Sequence, residues 1–248
     1  MVICFLPVFL SLGWGMDHSA LDGVLAAQVQ RNTVRYSVLA VDRAPLTAYL
    51  GVLAKADVPA MSEAEQKAFW LNAYNATTLE LVASEWPLTS ILSLDAGKVF
   101  ETRKFWLGRE LISLNGVENQ RLRPLGDPRI HAALVCAARS CPPMRTAAFS
   151  ADGLDAQLDD ASRAWAKTTA ATLERGAKKA HLSQIFEWYG EDFVPLYGGV
   201  HDIPGVEGTK EAALNFIAAF SEPDTAAWIQ AGGYTVDYAR YNWGINGR

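Results

Sequence analysis

The sequence has few cysteines, no block of basic residues and no apolar run long enough for an ordinary membrane span. Four residues separate Cys136 from Cys141, so the CxxC redox motif is absent. Acidic residues outnumber Lys and Arg by 27 to 22, and without a basic cluster there is no electrostatic footprint for nucleic acid. No repeat, low-complexity tract or linker divides the chain. These absences indicate one folded domain.

The longest apolar run is at the N-terminus, where residues 1–15 read MVICFLPVFLSLGWG. The run is too short for an ordinary membrane span and has the length of a signal-peptide core, although it lacks the usual positive n-region. Three interpretations fit this run. The start codon is assigned too far downstream, or the run is a secretory segment whose only positive charge is the Met1 amine, or it is a buried N-terminal helix. We predict a partial signal segment over residues 1–16 and a periplasmic or secreted mature protein without a stable membrane span.

Apolar spacing and turn residues predict interspersed helices and short strands. The clearest helix covers residues 62–85, because Ser62 and Glu65 form a capping box and Pro87 follows its end. Further helices are predicted at 21–29, 43–56, 115–123, 152–167, 183–190 and 210–220. Strands are predicted at 33–40, 129–136, 178–183 and 234–241, and as a hairpin within 98–114.

The order of these elements bears on the fold class. Helices and strands alternate without βαβ regularity, which favours an α+β fold over a parallel α/β sheet. Half of the residues are hydrophobic, enough for a substantial core. We predict a single domain over residues 17–248, with helices packed on a small, mostly antiparallel sheet.

Two asparagines interrupt the apolar surface of the helix at 62–85. Asn72 and Asn75 are three residues apart and therefore occupy neighbouring positions on one face. A buried asparagine costs stability unless its amide is hydrogen-bonded. We expect the two amides either to brace a neighbouring loop or to face a binding pocket.

Residues 127–145, DPRIHAALVCAARSCPPMR, combine a histidine, two cysteines and three arginines. If 129–136 is a strand, alternation puts His131 on one face and Cys136 on the opposite, core-facing side. Cys141 lies in a turn before Pro142, where the chain can fold back toward His131. Arg129 and Arg139 are candidates for binding a substrate beside it.

A thiol becomes a useful nucleophile when positive charge or a nearby histidine favours the thiolate. Cys141 is therefore the candidate nucleophile, His131 the candidate base and Cys136 a second sulfur of the site. Glu118 is the candidate that orients the histidine, as a third polar group does in many thiol sites. For Asp192 we expect an internal salt bridge.

Two other readings of the cysteines stay open. Removal of the leader would also remove Cys4, and the remaining even pair in an exported protein is able to form a disulfide. Zinc could take His131, Cys136 and Cys141 as ligands, but the strand alternation points the histidine away from Cys136.

Several motifs resemble one known family. Read in order, AFWLNAYNATTLELV, LNGVENQRLRP, DPRIHAALVCAARSCPPMR, LSQIFEWYGEDF and YARYNWGIN are similar to domain-of-unknown-function family 547, and DHSALDGVL and VRYSVL resemble its bacterial branch. The resemblance runs from about residue 17 to the C-terminus and implies a single-domain protein, often exported. Ala132 departs from the family, where an aromatic residue is usual. The family positions match Phe69, Trp70, Asn72, Tyr74, Asn75, Glu118, Asp127, Arg129, His131, Cys136 and Cys141.

These observations lead to two functional hypotheses. The first is a thiol-dependent hydrolase or acyltransferase, papain-like or transglutaminase-like by analogy, acting on an amide, peptide or thioester bond. Its substrate is a small molecule or peptide, it needs no cofactor, and backbone N–H groups of 137–141, aided by Asn72 or Asn75, bind the oxyanion. The second is a non-catalytic binding module in which a Cys136–Cys141 disulfide shapes an Arg-rimmed pocket.

Overall fold

Helices account for most of the secondary structure in the computed structural model, which describes residues 16–248. Apart from Met16, the predicted signal segment lies outside these residues. None of the helices in the described range is long and apolar enough to cross a membrane. The helices are α1 (Ser19–Gln28), α2 (Tyr36–Leu39), α3 (Ala44–Leu53), α4 (Glu63–Ser84), α5 (Val99–Thr102), α6 (Leu114–Gly116), α7 (Ile130–Ala133), α8 (Leu154–Thr168), α9 (Gln184–Tyr197), α10 (Gly208–Ala219) and α11 (Pro223–Ala231).

The strands are short and form small separate sheets. They are β1 (Val29–Gln30), β2 (Thr33–Val34), β3 (Lys104–Leu107), β4 (Glu110–Ser113), β5 (Ala171–Glu174), β6 (Lys179–Leu182) and β7 (Thr235–Tyr238). β1 pairs with β2, β3 with β4 and β5 with β6, all antiparallel, while β7 lies parallel to β6. The α+β class is confirmed. The mostly antiparallel pairing is confirmed too, and within the described residues it is distributed over two hairpins and one three-stranded mixed sheet.

The elements with clear start and stop signals form where they are predicted. Helix α4 begins after Ser62, whose hydroxyl accepts the Glu65 N–H while the Glu65 carboxylate accepts the Ser62 N–H at 2.8 Å. Strands β3 and β4 form the predicted hairpin, with both residues of its tight turn, Gly108 and Arg109, in the left-handed region.

Three segments differ from the prediction. Residues 129–136 contain helix α7 instead of a strand, because a turn begins at Asp127 and Pro128: the Asp127 carboxylate accepts the Arg129 N–H at 3.1 Å, and His131 N–H donates to the Pro128 carbonyl. Residues 33–40 form the short β2 and then helix α2. The helix predicted at 183–190 continues to Tyr197 through a non-helical residue, Tyr189.

A buried aromatic cluster positions α9 against α8 and α10. Trp165 of α8 stacks on Phe186 at a ring separation of 4.7 Å, and Phe193 lies edge-on to Phe216 of α10 at 5.0 Å. All four side chains are fully buried. The packing fixes both ends of the α9 segment that carries Trp188, Tyr189 and Asp192.

The two asparagines of α4 brace neighbouring chain segments. The Asn75 amide donates to the Ala133 carbonyl at 2.9 Å and accepts the Val135 N–H at 3.0 Å. Asn72 makes the same pair of bonds with the backbone of Phe149, at 2.8 and 2.9 Å. Both amides thus satisfy backbone groups that would otherwise be buried without partners. The structure matches the bracing alternative, and Asn75 anchors the segment that follows His131.

The C-terminal segment closes over the cysteine loop. The Arg139 N–H donates to the Gly244 carbonyl at 2.8 Å, and the Asn246 N–H donates to the Ala137 carbonyl at 2.9 Å. An isolated antiparallel bridge joins Ala138 to Ile245. These bonds bring residues 241–243 beside the two cysteines.

Candidate functional site

A cavity of about 230 Å³ lies where α4, α5, α7 and α9 meet the cysteine loop and the C-terminal segment. It contains all four residues that the sequence nominates for catalysis. Aromatic side chains supply most of the remaining wall. The lining residues are Tyr74, Phe100, Glu101, Asn115, Glu118, His131, Leu134, Cys136, Cys141, Ile185, Trp188, Tyr189, Tyr241 and Trp243.

His131 is buried and held on several sides. Its Nε2 atom lies 2.8 Å from the Asp192 carboxylate, and its Nδ1 atom lies 3.8 Å from the carboxylate of Glu118. The ring stacks on Tyr189 with centroids 4.5 Å apart and is tilted against Phe193. The hydrogen-bonded partner of the histidine is therefore Asp192, whereas the sequence assigned that role to Glu118.

Asp192 also forms the expected salt bridge. Arg123 donates to both of its carboxylate oxygens, at 2.6 and 2.8 Å, and the same guanidinium lies over the Tyr189 ring. A bidentate pair of this kind is geometrically specific as well as charge-assisted. Arg123, Asp192 and His131 thus form one connected chain behind the cavity wall.

The environments of the two carboxylates shift their pKa values in opposite directions. Burial raises the pKa of Glu118, and the opposing effects of His131, Tyr189 and Arg123 offset it only in part. Burial also acts to raise the pKa of Asp192, but hydrogen bonds from Arg123 and His131 outweigh it and hold that pKa below the ordinary range. The Asp192 contact occupies Nε2 of His131, and Nδ1 is the ring nitrogen that faces Glu118.

The two cysteines of the cavity form a disulfide. Cys141 is buried and Cys136 is half-buried, which reverses the predicted assignment of Cys136 to the core. Both line the cavity with His131, because helix α7 removes the strand alternation on which that prediction rested. Within residues 16–248, no group of three or more His, Cys, Asp or Glu side chains is arranged to hold a metal ion.

Polar groups converge on the sulfur of Cys141. Its Sγ accepts the backbone N–H groups of Cys136 at 3.1 Å and Ala138 at 3.4 Å, and the Tyr241 hydroxyl lies 3.3 Å from both sulfurs. Ala137, between them, is in the left-handed region with φ of 64°. A non-glycine residue there is strained, and such strain often marks a functional site.

The predicted binding residues lie outside the cavity lining. Arg129 is surrounded by the carboxylates of Asp127, Asp155 and Asp159, at 2.7 to 3.0 Å. Arg139 donates to the Ile245 carbonyl and helps to hold the C-terminal segment. With Asn72 and Asn75 also engaged as braces, the Arg-rimmed pocket is corrected to a cavity with aromatic and acidic walls.

The sequence patterns do not identify several of the cavity residues as site residues. Tyr74, Trp188, Tyr189, Tyr241 and Trp243 line the cavity, although only their place in family-like motifs drew attention to them. Helical spacing offers one usable signal, since Tyr189 and Asp192 are three residues apart. No local signal marks Tyr241, which reaches the sulfurs from 100 and 105 residues away.

Comparison with known proteins bears on this site. Residues 58–165 match the DUF547 family model. The family is described as a protein of unknown function, and the match supports the resemblance drawn from the motifs. The DUF547 segment contains Glu118, His131 and both cysteines, whereas Asp192 and Tyr241 lie beyond it. No curated protein and no solved structure matches the chain.

The opposite pKa shifts predict opposite pH dependences for two matched amide substitutions. Asp192→Asn should lower the free energy of unfolding at pH 7 by about 2 kcal/mol, because it removes the charge that Arg123 and His131 contact. A depressed carboxylate pKa stabilises the fold above the unfolded-state value, so this deficit should shrink below about pH 4. Glu118→Gln should instead gain stability relative to wild type as the pH rises, since a raised pKa makes ionisation costly.

Urea unfolding of wild type and both variants at pH 3, 5 and 7 checks these signs, at concentrations where unfolding is reversible. Equal losses for the two variants at every pH would contradict the assignment of opposite shifts.

Proposed function

We propose that the chain binds a small molecule or peptide group in the cavity beside His131, with the Cys136–Cys141 disulfide as part of the wall. The observation that carries this proposal is that both sulfurs face the cavity and are joined to each other. A disulfide leaves no thiolate for nucleophilic attack, and the aromatic side chains supply the apolar surface that small-molecule sites use.

The proposal includes export of the mature protein to the periplasm or beyond the cell. Disulfides persist in oxidising compartments, and the apolar composition of residues 1–15 supports a secretory segment. The cavity would then operate in its oxidised form. The Arg-rimmed version of this hypothesis is replaced by one with aromatic and acidic walls.

A second candidate function is the thiol-dependent hydrolase or acyltransferase, and the contacts of Cys141 favour it. Two N–H groups and the Tyr241 hydroxyl surround this sulfur, and donors of this kind stabilise a thiolate. In this scheme a thiol reductant first opens the disulfide. The comparison with papain-like or transglutaminase-like enzymes concerns this chemistry alone.

In that scheme His131 would serve as the base for Cys141, since both residues line the same cavity. The Cys141 thiol would give its proton to Nδ1 of His131, the ring nitrogen that Asp192 leaves free. Its sulfur would then bond to the carbonyl carbon of an amide or thioester, the C–N or C–S bond would break, and the leaving amine or thiol would take the proton from Nδ1. Water or an acceptor amine or thiol would next attack the acyl-Cys141 thioester, give its proton to Nδ1 and release the acyl group, and the Cys141 thiolate would recover that proton. Asp192 would orient the ring, a role that the sequence patterns assign to Glu118. Glu118 would instead stabilise the imidazolium.

Intact mass measured with and without reductant tests the leading proposal. The full chain purified without reductant should gain two protons on reduction and should take up no iodoacetamide at Cys136 or Cys141 beforehand. Reduction should restore labelling of both positions. Free thiols that label before any reduction would contradict a disulfide-walled binding cavity.

The reactivity of the reduced protein tests the second candidate. Cys136→Ser isolates the Cys141 thiol, and Cys141→Ser is the matched control that isolates Cys136. If Cys141 is an activated nucleophile, its alkylation rate should reach half its maximum below about pH 8.5, the ordinary cysteine pKa. A midpoint at or above that pH in the Cys136→Ser variant would remove the hydrolase from consideration.

A further inference from the structure

Apart from His131, the ionisable groups of the cavity lining that carry formal charge at neutral pH are carboxylates. Among the described lining residues, the formally charged side chains are Glu101 and Glu118, and none is Lys or Arg. Glu101 is exposed, whereas the Glu118 side chain is 12% exposed. An anionic ligand would therefore meet acidic side chains at an exposed and at a buried position of the lining.

Glu118 has an incomplete set of charge partners. Within residues 16–248, the basic side chain within 4 Å of its carboxylate is His131, whose Nδ1 atom lies 3.8 Å away, beyond hydrogen-bond distance. Arg123 is committed elsewhere, because it donates to both oxygens of Asp192 and to the Asn119 side chain. A carboxylate removed from water needs a charge partner or a proton. The cavity is where such a partner can enter.

Another part of the cavity wall is built from clustered aromatic rings. Trp188, Tyr241 and Trp243 lie within 4.7 to 5.8 Å of one another, and Phe100 lies 6.4 Å from Trp243. Trp188 is 44% exposed at this position, so part of its ring is accessible to a ligand. The faces of tryptophan and tyrosine attract cations, most strongly where water is displaced.

The dimensions limit the size of the occupant. Pockets for drug-sized ligands have volumes of roughly 300 to 1,000 Å³, and this cavity of about 230 Å³ is smaller. It suits a single compact head group and not a long peptide segment. A neutral apolar group of that size would fill the space but would leave Glu118 without a counter-charge.

We infer that the cavity binds an organic cation, an ammonium or quaternary ammonium head group held against the Trp188, Tyr241 and Trp243 rings with Glu118 as its counter-charge. The inference rests on the proposed function, since it names the chemical class of that cavity's ligand. It requires no turnover. It therefore applies to the oxidised protein as purified.

The test compares two probes of the same shape and different charge. Choline carries a trimethylammonium group, and its carbon isostere carries a neutral tert-butyl group instead. Calorimetric titration of the oxidised full chain should show saturable choline binding at one site. The isostere should bind at least about tenfold more weakly, because it has neither the Coulombic nor the cation–π attraction.

Three variants locate the binding. Trp243→Leu and Glu118→Gln should each weaken choline binding by about fivefold or more, and Glu118→Gln should abolish most of the preference over the isostere. Trp106→Leu is the matched control, because Trp106 is 61% exposed on β3 and does not line the cavity. It should leave choline binding unchanged. Urea unfolding of each variant confirms that it is folded.

The wild-type comparison decides the matter even if a variant fails to fold. Equal affinity for choline and the isostere would overturn the inference while leaving a binding cavity in place. Absence of choline binding up to about 10 mM would overturn it as well. A third outcome is free thiols in the mass measurement together with choline-selective binding. It would contradict the non-catalytic function, while the cation inference would hold with the cation as part of a substrate.

Discussion

The Asp192 carboxylate is the contact on which the cavity depends. From α9 it contacts both His131 of α7 and Arg123, which directly follows the π-helical turn Val117–Leu122 that carries Glu118. The three groups come from segments 61 and 69 residues apart in the chain. Breaking a partly buried charge pair at one end leaves the other charge uncompensated, so the three positions are mutually dependent.

This constraint explains why two carboxylates around one histidine differ in character. Asp192 receives the cationic and N–H donors, which keeps it ionised and fixes the orientation of the ring. Glu118 lies on the other side of the imidazole and is left with burial as the main influence on its pKa. The cavity therefore has an inner carboxyl group whose charge the protein balances only in part, and a bound cation would complete that balance.

The C-terminal segment forms a second set of contacts that holds the cavity wall together. The bonds from residues 244–246 to the loop at 137–139 hold the disulfide loop in place and carry Tyr241 and Trp243 to the cavity. Asn75 holds the same loop from the α4 side. The sulfurs thus lie in a wall that is fixed from two directions, consistent with a preformed binding site.

Sequence patterns predict those parts of the structure that local physics determines. Helix α4 has a capping box at Ser62 and Glu65, and the β3–β4 hairpin has a tight turn, so both form as expected. Residues 129–136 show the limit, because a short apolar run is compatible with either a strand or a buried helix. The predicted orientation of Cys136 is wrong for the same reason, since it relied on strand alternation.

The sequence predicts which residues of the site lie together better than it predicts which of them form hydrogen bonds with each other. Glu118, His131, Cys136 and Cys141 meet in one cavity as the motifs suggest. Which carboxylate bonds to the histidine depends on how α9 packs, through contacts such as that between Phe186 and Trp165. Spacing along the chain contains no information about such long-range packing. The burial of Arg129 among three aspartates could not be read from spacing either.

The most direct test of the account is a carbon-13 NMR titration of the Glu118 carboxyl group, with and without choline. We expect Glu118 to titrate above the ordinary glutamate pKa in the free protein, and bound choline to move this pKa downward by stabilising the ionised form. An ordinary pKa for Glu118 in the free protein, unchanged by choline, would contradict it.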